Sequence, residues 1–376
     1  MAVDSENQKN IQVDMWRFEQ LIRLACKPEH PFAKFGTGNL STLKTEPEKK
    51  GLSVRDELIK FHSKHYSANQ MALGVFGKEP LDTLQAYVEE MFGEVPNLQL
   101  NRTEFDPNPF ADDKLASVFN TLSVKELKEL KISWIFPDLR KHYETSPLSY
   151  IEHLIGFNGE GSLNSLLRKR GLINSIFSYT NVEVNGFLLF RVNISLTDVG
   201  EDKIDEILEL LFQYINLMKS EKPKQWLFEE INALKKIDFT YKDKNDPVFN
   251  TYMAASSLHD YKMEHVLTGR CWATKFDADL IESLYKHLTP NKMIVLHLSK
   301  KHQGKTDSTE KWYGTEYKFE KINQDVIKRL VDCGLNEKLK LPSKNPYIPT
   351  DFSLVKHAIN ANEERFKMPR LVYQDE

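Results

Sequence analysis

The chain has 376 residues, 40% hydrophobic and 28% charged, enough apolar material for about two globular domains with proper cores. Its formal net charge of −3 excludes binding to a phosphate backbone through a basic excess, so no nucleic-acid partner is expected. Three scattered cysteines (Cys26, Cys271, Cys333) give no disulfide framework or zinc knuckle, and no apolar run reaches membrane length, so the expectation is a soluble cytoplasmic protein without a membrane partner.

In chain order, AVDSENQKN (Ala2 to Asn10) reads as the interior of a helix with only Asp4 or Ser5 to cap it. It runs into Ile11, Met15, Phe18, Ile22 and Ala25, whose spacing predicts one continuing helix. Pro31 and two glycines in HPFAKFGTGNLSTL make a loop. Ser53 and Asp56 sit at capping-box spacing before Leu58, Ile59 and Phe61, which predicts a helix over 53–66. MALGVFG (Met71 to Gly77) reads as a short strand, and PLDTLQAYVEEMFGEV as a second amphipathic helix. Helix, strand and helix follow one another with no pairing partner nearby, so part of a sheet is missing from this stretch.

A Pro-containing linker with Pro107 and Pro109 leads into two strands, ASVFNTLS and LKISWIFP. A helix over 147–156 is followed by the glycine-rich turn NGEGSLNSLLRKRG, where Ser162 is an N-cap candidate. The β-branched and aromatic run INSIFSYTNVEVNGFLLFRVNISLT breaks at Asn185-Gly186, a hairpin signal. Helices over 198–219, 223–239 and 277–287 come next, then the strand KMIVLHLS. Strands grouped with runs of helices predict an α+β fold, an antiparallel sheet covered by helices.

Metal chemistry finds little support in the residues. A catalytic zinc needs three protein ligands, an open position and a nearby carboxylate, and neither HExxH nor HxxEH occurs. His62 and His65 in HSKHY share a helical face but have no acid between them, so a solvated pair is the plainer reading. The glycine-rich turn before Ser162 lacks the lysine of a phosphate loop, which favours capping over nucleotide binding.

The run from HLIGFNGEGSLNSLLRKRGLINSIFS to FLLFRVNISLT resembles the second domain of the insulin-degrading-enzyme branch of the inverzincin (pitrilysin-like) zinc metallopeptidases. AVDSENQKN, HPFAKFGTGN, VRDELIKFHSKHYSANQMA, KWYGTEY and LPSKNPYIPTDF match in the same order, so the resemblance covers essentially the whole chain and fades only after Leu354. It implies metallopeptidase-like domain repeats. Residues 1–102 would be the C-terminal part of the first, catalytic-type domain and 103–332 a complete second domain. Residues 333–352 would be a linker and 353–376 the start of a truncated third domain.

The resemblance also implies zinc as cofactor and endopeptidase activity on peptides. It aligns Glu6 with the family's third zinc ligand, the HxxEH segment having no counterpart here, so the metal site is incomplete and this chain alone is expected to be inactive. It places a distal exosite, where an extended peptide adds as a strand, on His153, Leu154, Ile155, Gly156, Phe157, Asn158 and Gly159 and on Ile176, Phe177, Ser178, Tyr179 and Thr180. Phe157 and Asn158 replace a His-Glu pair there, and Ser178 and Tyr179 replace two glycines. Asp246 stands where relatives place an arginine implicated in nucleotide binding, so no nucleotide is expected. The alternative is a non-catalytic peptide-binding or scaffold homologue that pairs with an intact enzyme.

Overall fold

The computed structural model describes residues 2–352. The expected start of a third domain, 353–376, lies outside the described residues. Residues 2–344 form one compact unit, and 345–352 fall outside it.

Within the first unit the helices are α1 (Ala2–Asn10), α2 (Asp14–Leu21), α3 (Glu46–Lys49), α4 (Val54–His65), α5 (Leu81–Phe92), α6 (Pro147–Gly156), α7 (Leu163–Lys169), α8 (Asp198–Glu201), α9 (Ile204–Ser220), α10 (Gln225–Tyr241), α11 (Pro247–Ser257), α12 (Ala278–Tyr285) and α13 (Gln324–Val331). The strands are β1 (Ser117–Thr121), β2 (Lys128–Pro137), β3 (Ile173–Val184), β4 (Phe187–Leu196), β5 (Ile294–Ser299), β6 (Ser308–Thr309) and β7 (Glu316–Lys321). They make one sheet in the order β3-β4-β2-β5-β1-β7-β6. Neighbours are antiparallel except β1 with β5, which run parallel, so the sheet is mixed rather than wholly antiparallel.

Alternation along the strands builds two cores. Leu130, Ile132, Trp134 and Phe136 of β2, with Phe190, Val192 and Ile194 of β4, point into a thick layer made chiefly by α6, α7, α9 and α12. The opposite face carries a thinner cluster in which Phe18, Leu21, Ile22 and Ala25 cover Phe119, Leu189, Ile294 and Leu296. Trp134 is fully buried and donates its indole N–H to the Thr289 carbonyl at 2.9 Å, which satisfies the ring's one polar atom.

Local signals hold where they are self-contained. Ser53 Oγ accepts the Asp56 N–H at 3.4 Å and Ser162 Oγ the Ser165 N–H at 3.0 Å, so both serines cap their helices. Asn185 and Gly186 turn β3 into β4, and Gly186 takes φ +126°. A Cβ on Gly186 would lie 2.4 Å from the Phe105 carbonyl oxygen, so space as well as φ requires glycine.

Three expectations are corrected. The helix predicted through Ala25 breaks at Ile11–Val13 and ends in a 3₁₀ turn over Ile22–Ala25. Asp14 explains the break: its two carboxylate oxygens accept the Val124 and Lys125 N–H groups at 2.8 and 2.9 Å, tying the start of α2 to the β1–β2 turn. Met15 is consequently exposed rather than part of the stripe. Met71–Gly77 is not a strand in the ladder, because no described strand runs beside it; its side chains face solvent. The helix predicted over 198–219 is divided into α8 and α9.

Within α8, Gly200 packs on Leu172, the residue before β3, and a Cβ there would lie 1.7 Å from the Leu172 carbonyl oxygen. Gly200→Ala is expected to cost about 3 kcal/mol, because backbone rather than a flexible side chain must yield. Urea unfolding checks this; a loss no larger than that of a surface substitution refutes the contact.

Candidate functional site

Strand addition needs a free edge, and β3 supplies one, since among the described residues its only ladder partner is β4. α6 and α7 pack against the same strand. The two segments expected to form the exosite are therefore neighbours in the fold: 153–156 is the last turn of α6, 157–159 the loop after it, and 176–180 the middle of β3.

Their side chains have different fates. Leu154, Ile155 and Ile176 are buried in the main core, and the Leu154 carbonyl accepts the Tyr214 hydroxyl at 3.0 Å. What these three offer to a ligand is restricted to the main chain. His153 is half-buried, and burial, then Lys235, holds its pKa below the usual imidazole range. Gly156 has open space around its Cβ position, whereas Gly159 lies against the Phe157 ring. Asn158 is exposed, and its Oδ1 accepts from the Asn164 side chain. Phe177 is exposed; Ser178, Tyr179 and Thr180 are half-buried. The Ser178 and Thr180 hydroxyl oxygens are covered without a hydrogen-bond partner among the described residues.

A cavity of about 490 Å³ opens beside Tyr179 and Thr180, walled by Glu152 of α6, Glu183 of β3, Tyr143 and Tyr261 among others. Residue patterns alone did not single out either acid, because they come from separate elements. A bulge between Thr180 and Val182 shifts the alternation, so Glu183 returns to the face occupied by Thr180. Burial pushes the Glu152 carboxyl up to about 7; Lys235 opposes the rise, Glu183 adds to it, and a hydrogen bond from the Thr180 N–H opposes it. Burial of its carboxylate end likewise raises Glu183, although the residue as a whole is exposed.

The opposite face of the same strand carries a buried polar network. Arg191 of β4 is 1% exposed; it donates to Glu19 of α2 at 2.5 Å, to Ser133 Oγ at 3.2 Å and to the Tyr179 hydroxyl at 3.4 Å. Burial works against the charged guanidinium, but Glu19 together with the Tyr179 hydroxyl outweighs it, holding the pKa of Arg191 up.

Glu6 lies exposed on α1. Among the described residues no group of three or more His, Cys, Asp or Glu side chains is placed to hold a metal. One exposed carboxylate does not fit a zinc site, which takes three protein ligands. His62 and His65 are exposed on α4; His62 stacks on Tyr66, and His65 lies tilted against Phe61. Asp246 has a structural occupation: its Oδ1 accepts the Val248 and Phe249 N–H groups at 2.8 and 3.2 Å, capping α11. No described helix is long and apolar enough to cross a membrane.

Comparison with known proteins agrees with this architecture. Residues 53–234 match a family model described as "Peptidase M16 inactive domain", and 239–376 match "Middle or third domain of peptidase_M16". Human insulin-degrading enzyme is 42% identical over 354 residues, 94% of this chain and 35% of that protein. "Insulin-degrading enzyme-like 1, peroxisomal" of Arabidopsis thaliana is 39% identical over 353 residues, 94% of this chain and 36% of that protein. The crystal structure of pitrilysin superposes with a TM-score of 0.86 at 28% identity, covering 94% of this chain and 38% of that one. The chain thus spans about a third of the length of the curated relatives it matches. Two consecutive models of one family, close relatives of that family and a shared fold lead to one conclusion: the chain belongs to the M16 peptidase family.

Proposed function

We propose that this protein serves a zinc metalloendopeptidase of the M16 family as its peptide-holding part, binding extended peptides at the free edge of β3. The observation that carries this reading is the open side of β3 between the α6–α7 turn and a cavity, with 176–180 along it. Main-chain N–H and C=O groups supply affinity there with little regard for peptide sequence. Zinc enters through the family; in this chain Glu6 is the ligand candidate, and neither the two histidines nor the general base of HxxEH is present. The 376-residue polypeptide by itself is expected not to hydrolyse peptides. Free thiols at Cys26, Cys271 and Cys333 support a reducing, cytoplasmic setting.

The test uses the purified chain and a fluorogenic extended peptide, with and without added zinc. Anisotropy should report binding without turnover. Zinc-dependent, chelator-sensitive cleavage would overturn the claim of inactivity, and equal binding of a peptide N-methylated at alternate amides would overturn strand addition.

A second reading, a scaffold that pairs with an intact homologous enzyme, is favoured by one feature. The apolar sides of α4, Met71–Gly77 and α5 lie in solvent, with Leu58, Leu81 and Met91 at 60%, 83% and 68% exposure. Sedimentation of the chain with an intact homologue separates the two: a stable complex supports pairing, and two unshifted boundaries refute it.

A further inference from the structure

A chain of polar groups joins the end of β5 to α8. His297 follows Val295 on the face of β5 that carries the main core, and it is buried. Its Nε2 lies 3.4 Å from Oε1 of Glu201, whose side chain is wholly buried. Its Nδ1 lies 3.1 Å from Nε2 of His302, and the two rings stand at 86° to each other. His302 ends the 3₁₀ turn Lys300–His302 directly after β5. Lys301 closes the other end of the chain, with Nζ 3.2 Å from Glu201 Oε2 and 2.7 Å from Asp202 Oδ1.

Counting donors and acceptors decides where the protons sit. Beside the Lys301 ammonium Glu201 is a carboxylate, which can only accept. His297 must then turn Nε2–H towards it, since a bare Nε2 would set a lone pair against an oxygen. Nδ1 of His297 is left as an acceptor, and His302 donates to it from Nε2. Both imidazoles are neutral in this arrangement, each in the Nε2–H tautomer. The Nε2–Oε1 contact is too poorly aligned for a full hydrogen bond. His297 Nε2 and both Glu201 oxygens are covered without a hydrogen-bond partner among the described residues, so the chain has no spare acceptor.

One added proton fits, on His302 Nδ1, because Nε2–H still donates to His297. A second does not fit. With both rings charged, Nδ1 of His297 also becomes a donor, and two cations face each other across 3.1 Å. Burial holds both imidazoles below the usual range, His297 at about 4, where His302 adds to the depression and Glu201 opposes it. A depressed histidine takes its proton more readily once the contact opens, so the closed form is favoured above pH 6.5 and loses ground as pH falls towards 4. The other charges nearby are committed or unhelpful. Glu320 of β7 attracts a charge on His302, but it is held by Asn120 and Lys318, each at 2.7 Å. Lys305 repels such a charge, and Asp198 of α8 pairs with Lys128 of β2. Relief is cheapest at the turn: Lys301, Gln303 and Gly304 are exposed, and β6 beyond them is a two-residue strand at the sheet edge.

We propose that Glu201, His297 and His302 form an acid-released latch, which holds the turn after β5 against α8 near neutral pH and opens when both imidazoles are protonated. His302 then swings into solvent, and the His297 cation stays inside, paired with Glu201.

The experiment is NMR on the full chain. Long-range proton–nitrogen spectra with isotope-labelled histidine should show His297 and His302 both as Nε2–H tautomers at pH 7.5. Amide hydrogen exchange, corrected for its intrinsic pH dependence, should speed up about tenfold over residues 300–306 between pH 7.5 and pH 5. The amides of β5 should keep their protection over the same range. His302→Gln keeps a donor for His297 but cannot take up a proton, and it should abolish the acceleration.

An Nδ1–H tautomer at either ring overturns the hydrogen-bond chain and the latch with it. Unchanged exchange over 300–306, or equal acceleration in β5 and the turn, also overturns the inference, the latter because it marks unfolding of the whole sheet. Acceleration that persists in His302→Gln does the same. The tautomers and the exchange ratio are read on the parent chain, so the test stands even where the variant fails to fold.

Discussion

Glu19→Ala should destabilise the protein by about 3 kcal/mol, although Glu19 is itself partly open to solvent. The loss arises at Arg191, whose side chain is 1% exposed and sits on a sheet face without other carboxylate contacts among its described hydrogen bonds. Removing Glu19 strands a guanidinium in low dielectric, with Ser133 and Tyr179 as weaker acceptors and Nη2 already unpartnered. The sign reverses when both charges go. A Glu19→Leu, Arg191→Met double variant fills similar volume without buried charge and should return to within about 1 kcal/mol of the parent. Urea unfolding of the parent, both single variants and the double variant measures the coupling. A Glu19→Ala cost below about 0.5 kcal/mol, the range of ordinary surface substitutions, would show that the pair does not hold in solution.

Glu152→Gln is expected to stabilise the protein at pH 8 by about 2 kcal/mol. The Glu152 carboxyl is raised from 4.5 to about 7 in the fold, so the folded state holds its proton more tightly than the unfolded chain does. Its contribution to stability is complete below pH 4.5 and declines as pH rises towards 7, after which the folded protein carries an unfavourable buried charge. Lys235 from α10 and the Thr180 N–H moderate that penalty; Glu183 from β3 aggravates it. Glutamine keeps an oxygen for the Thr180 N–H and carries no charge at any pH. The gap between variant and parent should therefore open from pH 4.5 to 7 and close in acid. A gap independent of pH would refute the assignment.

The parts of the fold legible in the sequence were those whose cause is local. Ser53 and Ser162 cap helices with their own side chains, and Asn185-Gly186 turns a hairpin whatever surrounds it. The long strands β2 and β4 announce themselves by apolar, β-branched runs. What stayed hidden is tertiary. Asp14 breaks a periodic helix by capturing two amides on a distant turn, and Met71–Gly77 has strand composition but no strand beside it. For the site, resemblance supplied the two segments, and the fold puts them side by side. It could not supply the acids: Glu152 and Glu183 meet only because α6 packs on β3 and a bulge turns Glu183 towards it.

The position of β5 has a consequence for how the chain is made. It lies between β2 and β1 near the middle of the sheet, yet it is encoded at 294–299, after every helix from α6 to α12. During synthesis the β2–β4–β3 half can assemble early, because those strands and α6 to α9 leave the ribosome first. β1 must wait, its edge unpaired, until β5 emerges and enters between the two halves. Closure of the sheet thus needs a long-range pairing with a large loop to organise, and it is the step expected to limit the rate of refolding. The waiting β1 and β2 edges make a nascent chain stalled before residue 294 the species most in need of a chaperone.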